Sequence, residues 1–88
     1  MKYKIVHDMP GRLRIRCGPY AFSLEQSYSI DHVLRKNNYI KEVKTSHTTG
    51  SILIYYNKEY KEKILNLVSK LELAQLPIVD KVDGTKEI

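Results

Sequence analysis

His7-Asp8-Met9-Pro10-Gly11-Arg12-Leu13-Arg14-Ile15-Arg16-Cys17-Gly18 is the stretch that decides how this chain folds. Met9-Pro10-Gly11 has the composition of a turn. Beyond it, Arg12, Arg14 and Arg16 alternate strictly with Leu13, Ile15 and Cys17. A period of two belongs to a β-strand with one face in a core and one in water. Gly18-Pro19 then ends the strand. Upstream, Tyr3-Lys4-Ile5-Val6-His7 is β-prone. It is either the first part of the same strand, interrupted at Pro10-Gly11, or a separate edge segment. Proline lacks a ladder donor, which argues against one regular strand through both pieces.

Downstream, Ser23 is a good N-cap, and Gln26 three residues later completes a capping box. Phe22, Leu24, Tyr28, Ile30, Val33 and Leu34 give the helix that follows a loose apolar stripe. Asn37-Asn38 ends it. Residues 39–47 and 51–56 read as two strands joined by the Thr48-Thr49-Gly50 turn, and the second is apolar on both sides, as a central strand is. Asn57 caps a second helix running to about Leu73, with Tyr60, Ile64, Leu67, Val68 and Leu71 at helical spacing. Pro77 stops it, and 78–82 reads as a short last strand.

The order β-α-β-β-α-β predicts an α+β fold, a ferredoxin-like sandwich. Its four-stranded antiparallel sheet would carry two helices on one face in strand order 4-1-3-2. Residues 12–17 would then lie between 51–56 and 78–82. We expect one domain over 1–82 and a polar tail or linker start over 83–88. In this topology Cys17, the start of the first helix, His47 and the Leu76-Pro77 loop gather at one end. His7 and Asn37-Asn38 gather at the other.

The 88 residues carry a net charge of +5, which favours acidic partners. The one cysteine excludes an internal disulfide and fits a reducing compartment. No apolar run approaches the ~18–20 residues that span a bilayer, and Met1-Lys2-Tyr3-Lys4 has no hydrophobic signal core. These features predict a cytoplasmic domain. No catalytic constellation or phosphate loop is visible. A nucleic-acid partner is disfavoured, because the basic strand carries no aromatic on which bases could stack. Soft or borderline metal ligands are few, and none has helical ligand spacing or a Cys-x-x-Cys pattern. Cys17 shares parity with the inward Leu13 and Ile15. It also precedes a helix N-terminus, a position expected to favour thiolate. His47 could approach it, and His7 stands beside Asp8.

The run His7 to Arg16 resembles the His-x-x-Pro-Gly-Arg-x-Arg opening of heavy-metal-associated domains at the N-terminus of bacterial transition-metal P-type ATPases. The runs Ile40 to Thr45 and Thr49 to Tyr56 are similar to that family's central hairpin. The resemblance covers about residues 3–72. One departure stands out: metal-carrying members hold a Cys-x-x-Cys after the first strand, whereas Cys17 here is followed by Gly18-Pro19-Tyr20. The resemblance implies a cytoplasmic regulatory, metal-sensing or docking domain of a heavy-metal-transporting ATPase, not itself an enzyme. The ion would be zinc, copper, iron or manganese, with Cys17, His47 and His7 as candidate ligands. Arg12, Arg14 and Arg16, with the lysine-rich second helix, would contact other domains of the same ATPase or the anionic inner membrane surface. The alternatives are a stand-alone metal- or haem-binding module and, behind it, a basic nucleic-acid-binding domain.

Overall fold

The Pro10-Gly11 turn folds the opening stretch back on itself. In the computed structural model, which describes residues 1–76, β1 (Lys4–Met9) and β2 (Arg12–Arg16) form an antiparallel hairpin. Met9 lies opposite Arg12, and Gly11 has φ +79°. Proline before a residue with positive φ is the pairing a type II turn takes. The turn is also tied to the rest of the sheet, since the Tyr56 N–H donates to the Gly11 carbonyl at 3.0 Å.

The capping box forms as the sequence predicts. Ser23 Oγ accepts from the Gln26 N–H at 3.1 Å, and Gln26 Oε1 accepts from the Ser23 N–H at 2.9 Å. They start α1 (Leu24–Arg35). At its other end the Asn37 side chain donates to the Val33 and Leu34 carbonyls. Next come β3 (Ile40–Ser46) and β4 (Ser51–Tyr56), the predicted hairpin. Asn57 accepts from the Glu59 N–H, but the turn it caps is a 3₁₀ segment, Lys58–Tyr60. Only then does α2 (Lys61–Lys70) begin. It is shorter than predicted, because Leu71 is extended and a second 3₁₀ turn spans Leu73–Gln75.

Leu13, Ile15, Val43, Ile52, Ile54 and Tyr56 point from one sheet face into a single core. Phe22, Ile30, Leu34, Ile64 and Val68 meet them from the helical side. The predicted layers, a four-stranded antiparallel sheet with two helices on one face, are therefore present. β4 is central and buried along most of its length, as its apolar run predicts.

The predicted strand order is corrected. The sheet runs β1-β2-β4-β3, so the edge beside β2 is held by Lys4–Met9 and not by 78–82 as the 4-1-3-2 order requires. The reason is proximity in the chain. A two-residue turn closes at far lower entropic cost than a connection of some sixty residues. The strand predicted at 78–82 and the tail predicted at 83–88 lie outside the described residues.

Tyr56 gives one direct test of the packing. Its ring is buried, and its Oη is buried with no hydrogen-bond partner among the described residues. A buried hydroxyl left unpaired costs about 1–3 kcal/mol of desolvation. We expect Tyr56→Phe to be neutral or to stabilise by up to about 1 kcal/mol, read as the urea midpoint. A loss above that would show a hydrogen bond at Oη.

Candidate functional site

Two regions hold the chemistry-bearing residues. The first is the end of the sheet where β2 leaves for α1. The Cys17 N–H donates to the Gly50 carbonyl at 2.7 Å, and the Tyr20 N–H donates to the His47 carbonyl at 3.1 Å. These bonds lash the 17–21 loop to the 47–50 turn. The Tyr20 and His47 rings meet edge to face with centroids 6.3 Å apart. Tyr20 is held at φ 58°, a left-handed backbone that costs a non-glycine residue about 1 kcal/mol or more. Cys17 and His47 therefore do share one end, as the topology predicts.

The thiol at that end differs from expectation. Burial pushes the Cys17 thiol up from its ordinary value, and the nearby N-terminal ammonium opposes this more weakly. α1 begins only at Leu24, seven residues beyond Cys17, and a helix dipole acts within about its first turn, so it does little for Cys17. Cys17 is half-buried against the core, in keeping with its parity with Leu13 and Ile15.

The second region is the sheet face away from the helices. Residues directly opposite in an antiparallel ladder share a face. The register puts His7 opposite Arg14, Arg14 opposite Leu53, and Leu53 opposite Lys44. It likewise aligns Met9, Arg12, Tyr55 and Glu42. Arg12 is the hub of the face. Its Nη1 lies 2.8 Å from His7 Nδ1, its Nε donates to Tyr55 Oη at 3.4 Å, and its guanidinium sits 5.8 Å from the centre of the Tyr55 ring. Arginine has only donors, so His7 Nδ1 accepts, and the matching tautomer carries its proton on Nε2. The hydrogen bond from Arg12, with the charges of Arg12, Lys44 and Arg14 behind it, holds the Tyr55 phenol below its usual range.

His7 is thus placed at mid-strand on the open face, apart from Cys17 and His47, and its Nδ1 is engaged by Arg12. Among the described residues no three His, Cys, Asp or Glu side chains are grouped to hold an ion. A closed structural site takes four such ligands and an open catalytic one three. Among the described residues no metal clamp is built; Cys17 and His47 stand on adjoining loops at one end of the sheet. Lys4 and Lys44 were not singled out from the sequence as neighbours of the arginines. Parity marks Lys44 as outward, but only the register sets it beside Leu53 and Arg14.

The fold and these two regions define a class: a small α+β domain with one bare, basic sheet face and a cysteine-bearing loop after the first hairpin. The chain belongs to the heavy metal associated domain 2 family, whose model matches residues 3–82. No curated protein and no solved structure matches it. Family membership connects the chain with metal binding or sensing.

Proposed function

We propose that this is a metal-sensing or docking domain of a heavy-metal-transporting P-type ATPase, ferredoxin-like in its layers and regulatory in its role. The observation that carries the reading is the family match over nearly the whole chain, together with the Pro10-Gly11-Arg12 hairpin that it includes. Where metal is met, Cys17 and His47 would be the contact, since they alone of the three candidates share a location. An ion there competes with a proton on the thiol, which burial holds on more firmly than in water. Metal contact should therefore strengthen with rising pH.

Titration of the chain with zinc, cobalt(II), copper(I) and iron(II), followed by NMR, tests the metal half of this reading. We expect shifts confined to Cys17, His47 and the loops that carry them, with midpoints that tighten as pH rises. Resonances unmoved at both residues would refute that half, and shifts centred on His7 would transfer the site to the open face. The transporter half predicts membrane-spanning helices and a phosphorylated aspartate encoded in the same reading frame or beside it. Its failure would leave the metal half standing.

A further inference from the structure

We propose that the open face of the sheet is a docking surface for an anionic phospholipid bilayer. The proposal goes beyond the metal reading and does not depend on it. The ladder register places Lys4, Arg12, Arg14, Arg16 and Lys44 on one side of the sheet. The helices cover the other side. Lys44 stands two strand spacings, about 10 Å, from Arg14 across Leu53. Lys4 and the three arginines of β2 stand about 5–7 Å from their nearest neighbours, by one strand spacing or by two residues along the strand. That is within the ~8 Å Debye length at physiological salt, so their fields add.

The face is not neutralised from within. The strands carry two carboxylates, Asp8 and Glu42. Asp8 lies opposite Leu13 and so points to the helical side, where it pairs with Lys61 at 2.9 Å. Glu42 is bound by Arg35, which reaches it from α1. Arg16 donates to the Thr49 carbonyl, a neutral partner. Between Arg14, Arg16 and Lys44 lies a shallow basin of about 390 Å³ rimmed by hydroxyls, Ser46, Thr49 and Ser51 among them. Clustered cations suit phosphate oxygens, and the Thr49 hydroxyl, which donates to Ser51 Oγ, leaves the Ser51 hydroxyl proton to the basin.

Three kinds of polyanion could lie on such a face, and its composition separates them. Single-stranded nucleic acid needs aromatic platforms. Tyr55 is the one aromatic in the two central strands on this side, and Arg12 already holds it. A specific protein partner takes an apolar centre to its interface. Here the centre is Leu53, which is only 6% exposed between Arg14 and Lys44. A bilayer asks for clustered cations and, at the margin, a little apolar surface. The margin supplies it: Met9 of edge strand β1, opposite Arg12, is about half exposed, as is Val6 at the register shift. The lysines of the helical layer lie on the opposite side, so they cannot touch the same plane as the arginines. The joint contact expected from the sequence is thus restricted to the sheet face.

The test is co-sedimentation of the 88-residue chain with phosphatidylcholine vesicles, with and without phosphatidylglycerol. We expect partitioning only onto the phosphatidylglycerol vesicles, weakening as salt is raised. A cation near an anionic surface contributes about fivefold in partitioning. The triple variant Arg14→Gln/Arg16→Gln/Lys44→Gln should then lose on the order of 100-fold. Lys44→Gln alone, at an exposed position, should lose about fivefold with an unchanged thermal midpoint. The control Lys36→Gln/Lys63→Gln/Lys70→Gln removes the same charge from the helical side and should bind as the parent does. Equal loss in both triple variants would overturn the proposal in favour of net charge. It would also be overturned by no binding at low salt, or by binding of single-stranded RNA through these residues without binding of vesicles.

Discussion

Replacing Gly50 with alanine should cost about 3–5 kcal/mol, the middle of the roughly 2–6 kcal/mol that left-handed backbone strain and overpacking give together. Gly50 is buried at the tip of the β3–β4 turn with φ +69°. A Cβ built there would stand 1.7 Å from the Gly18 carbonyl oxygen and 2.6 Å from its carbon. Both are backbone atoms, so no side chain can swing aside. The two loops would have to part, breaking the Cys17 N–H bond to the Gly50 carbonyl. A chain of this length has roughly 4–13 kcal/mol of stability in all. We therefore expect the thermal midpoint to fall by about 12 °C or more, and Cys17 to react faster with thiol reagents in any folded population. The neighbouring exposed Thr49→Ala should change stability by no more than about 0.5 kcal/mol. Similar losses in the two variants would mean that the contact between the loops is not as tight as described.

The second large effect lies where α1 meets β3. Asp31 is only 2% exposed and receives a 2.6 Å hydrogen bond from Arg35 Nε. The same guanidinium binds Glu42 and donates to the Val43 carbonyl at 2.9 Å. One arginine thus spans two acids and a strand carbonyl, fixing the helix against the edge of the sheet. Breaking a buried ion pair from one side costs up to about 3–5 kcal/mol. Arg35→Met should fall in that range by urea denaturation. Arg35→Met/Asp31→Asn should recover part of the loss, since the buried charge is gone. The penalty of the single variant should shrink as pH is lowered and Asp31 takes up a proton. In the parent chain, Glu42 is held below its usual range by the Val43 N–H first and by Arg35 next. A depressed carboxyl pKa contributes stability above its unfolded value, near pH 4.3. That contribution is lost as pH falls through the lower folded value. Unequal pH profiles for parent and Arg35→Met are therefore required; parallel profiles would remove the ion-pair account.

Much of this fold was legible because its signals are local. Ser23 and Gln26 stand three apart, and a capping box needs nothing else. The β3–β4 hairpin follows from two β-prone runs around Thr48-Thr49-Gly50. Strict alternation in Arg12–Cys17 assigns each residue a face before any partner is known. The role of Lys4–Met9 was harder to see. All six residues are exposed, with a register shift between Ile5 and His7, so the strand shows no clean period and its pairing comes from the turn alone. The candidate site was half legible. Topology brings Cys17 and His47 to one end, while the hydrogen bond from Arg12 to His7 depends on how two side chains lie across a ladder.

Sequence by itself determined which side of β2 is wet and basic and which is dry, since a two-residue period leaves no choice. It also determined both helices, their order around the hairpin, and the lack of a second cysteine after Cys17. Only the tertiary structure decided that Lys4–Met9 takes the edge beside β2, that Lys44 joins the arginines across Leu53, and that the lysines of the helical layer face away from them. It also decided that burial pushes the Cys17 thiol up. Exposure and register are relations between distant segments, so burial against the core overrules the helix terminus that the local sequence sets near it.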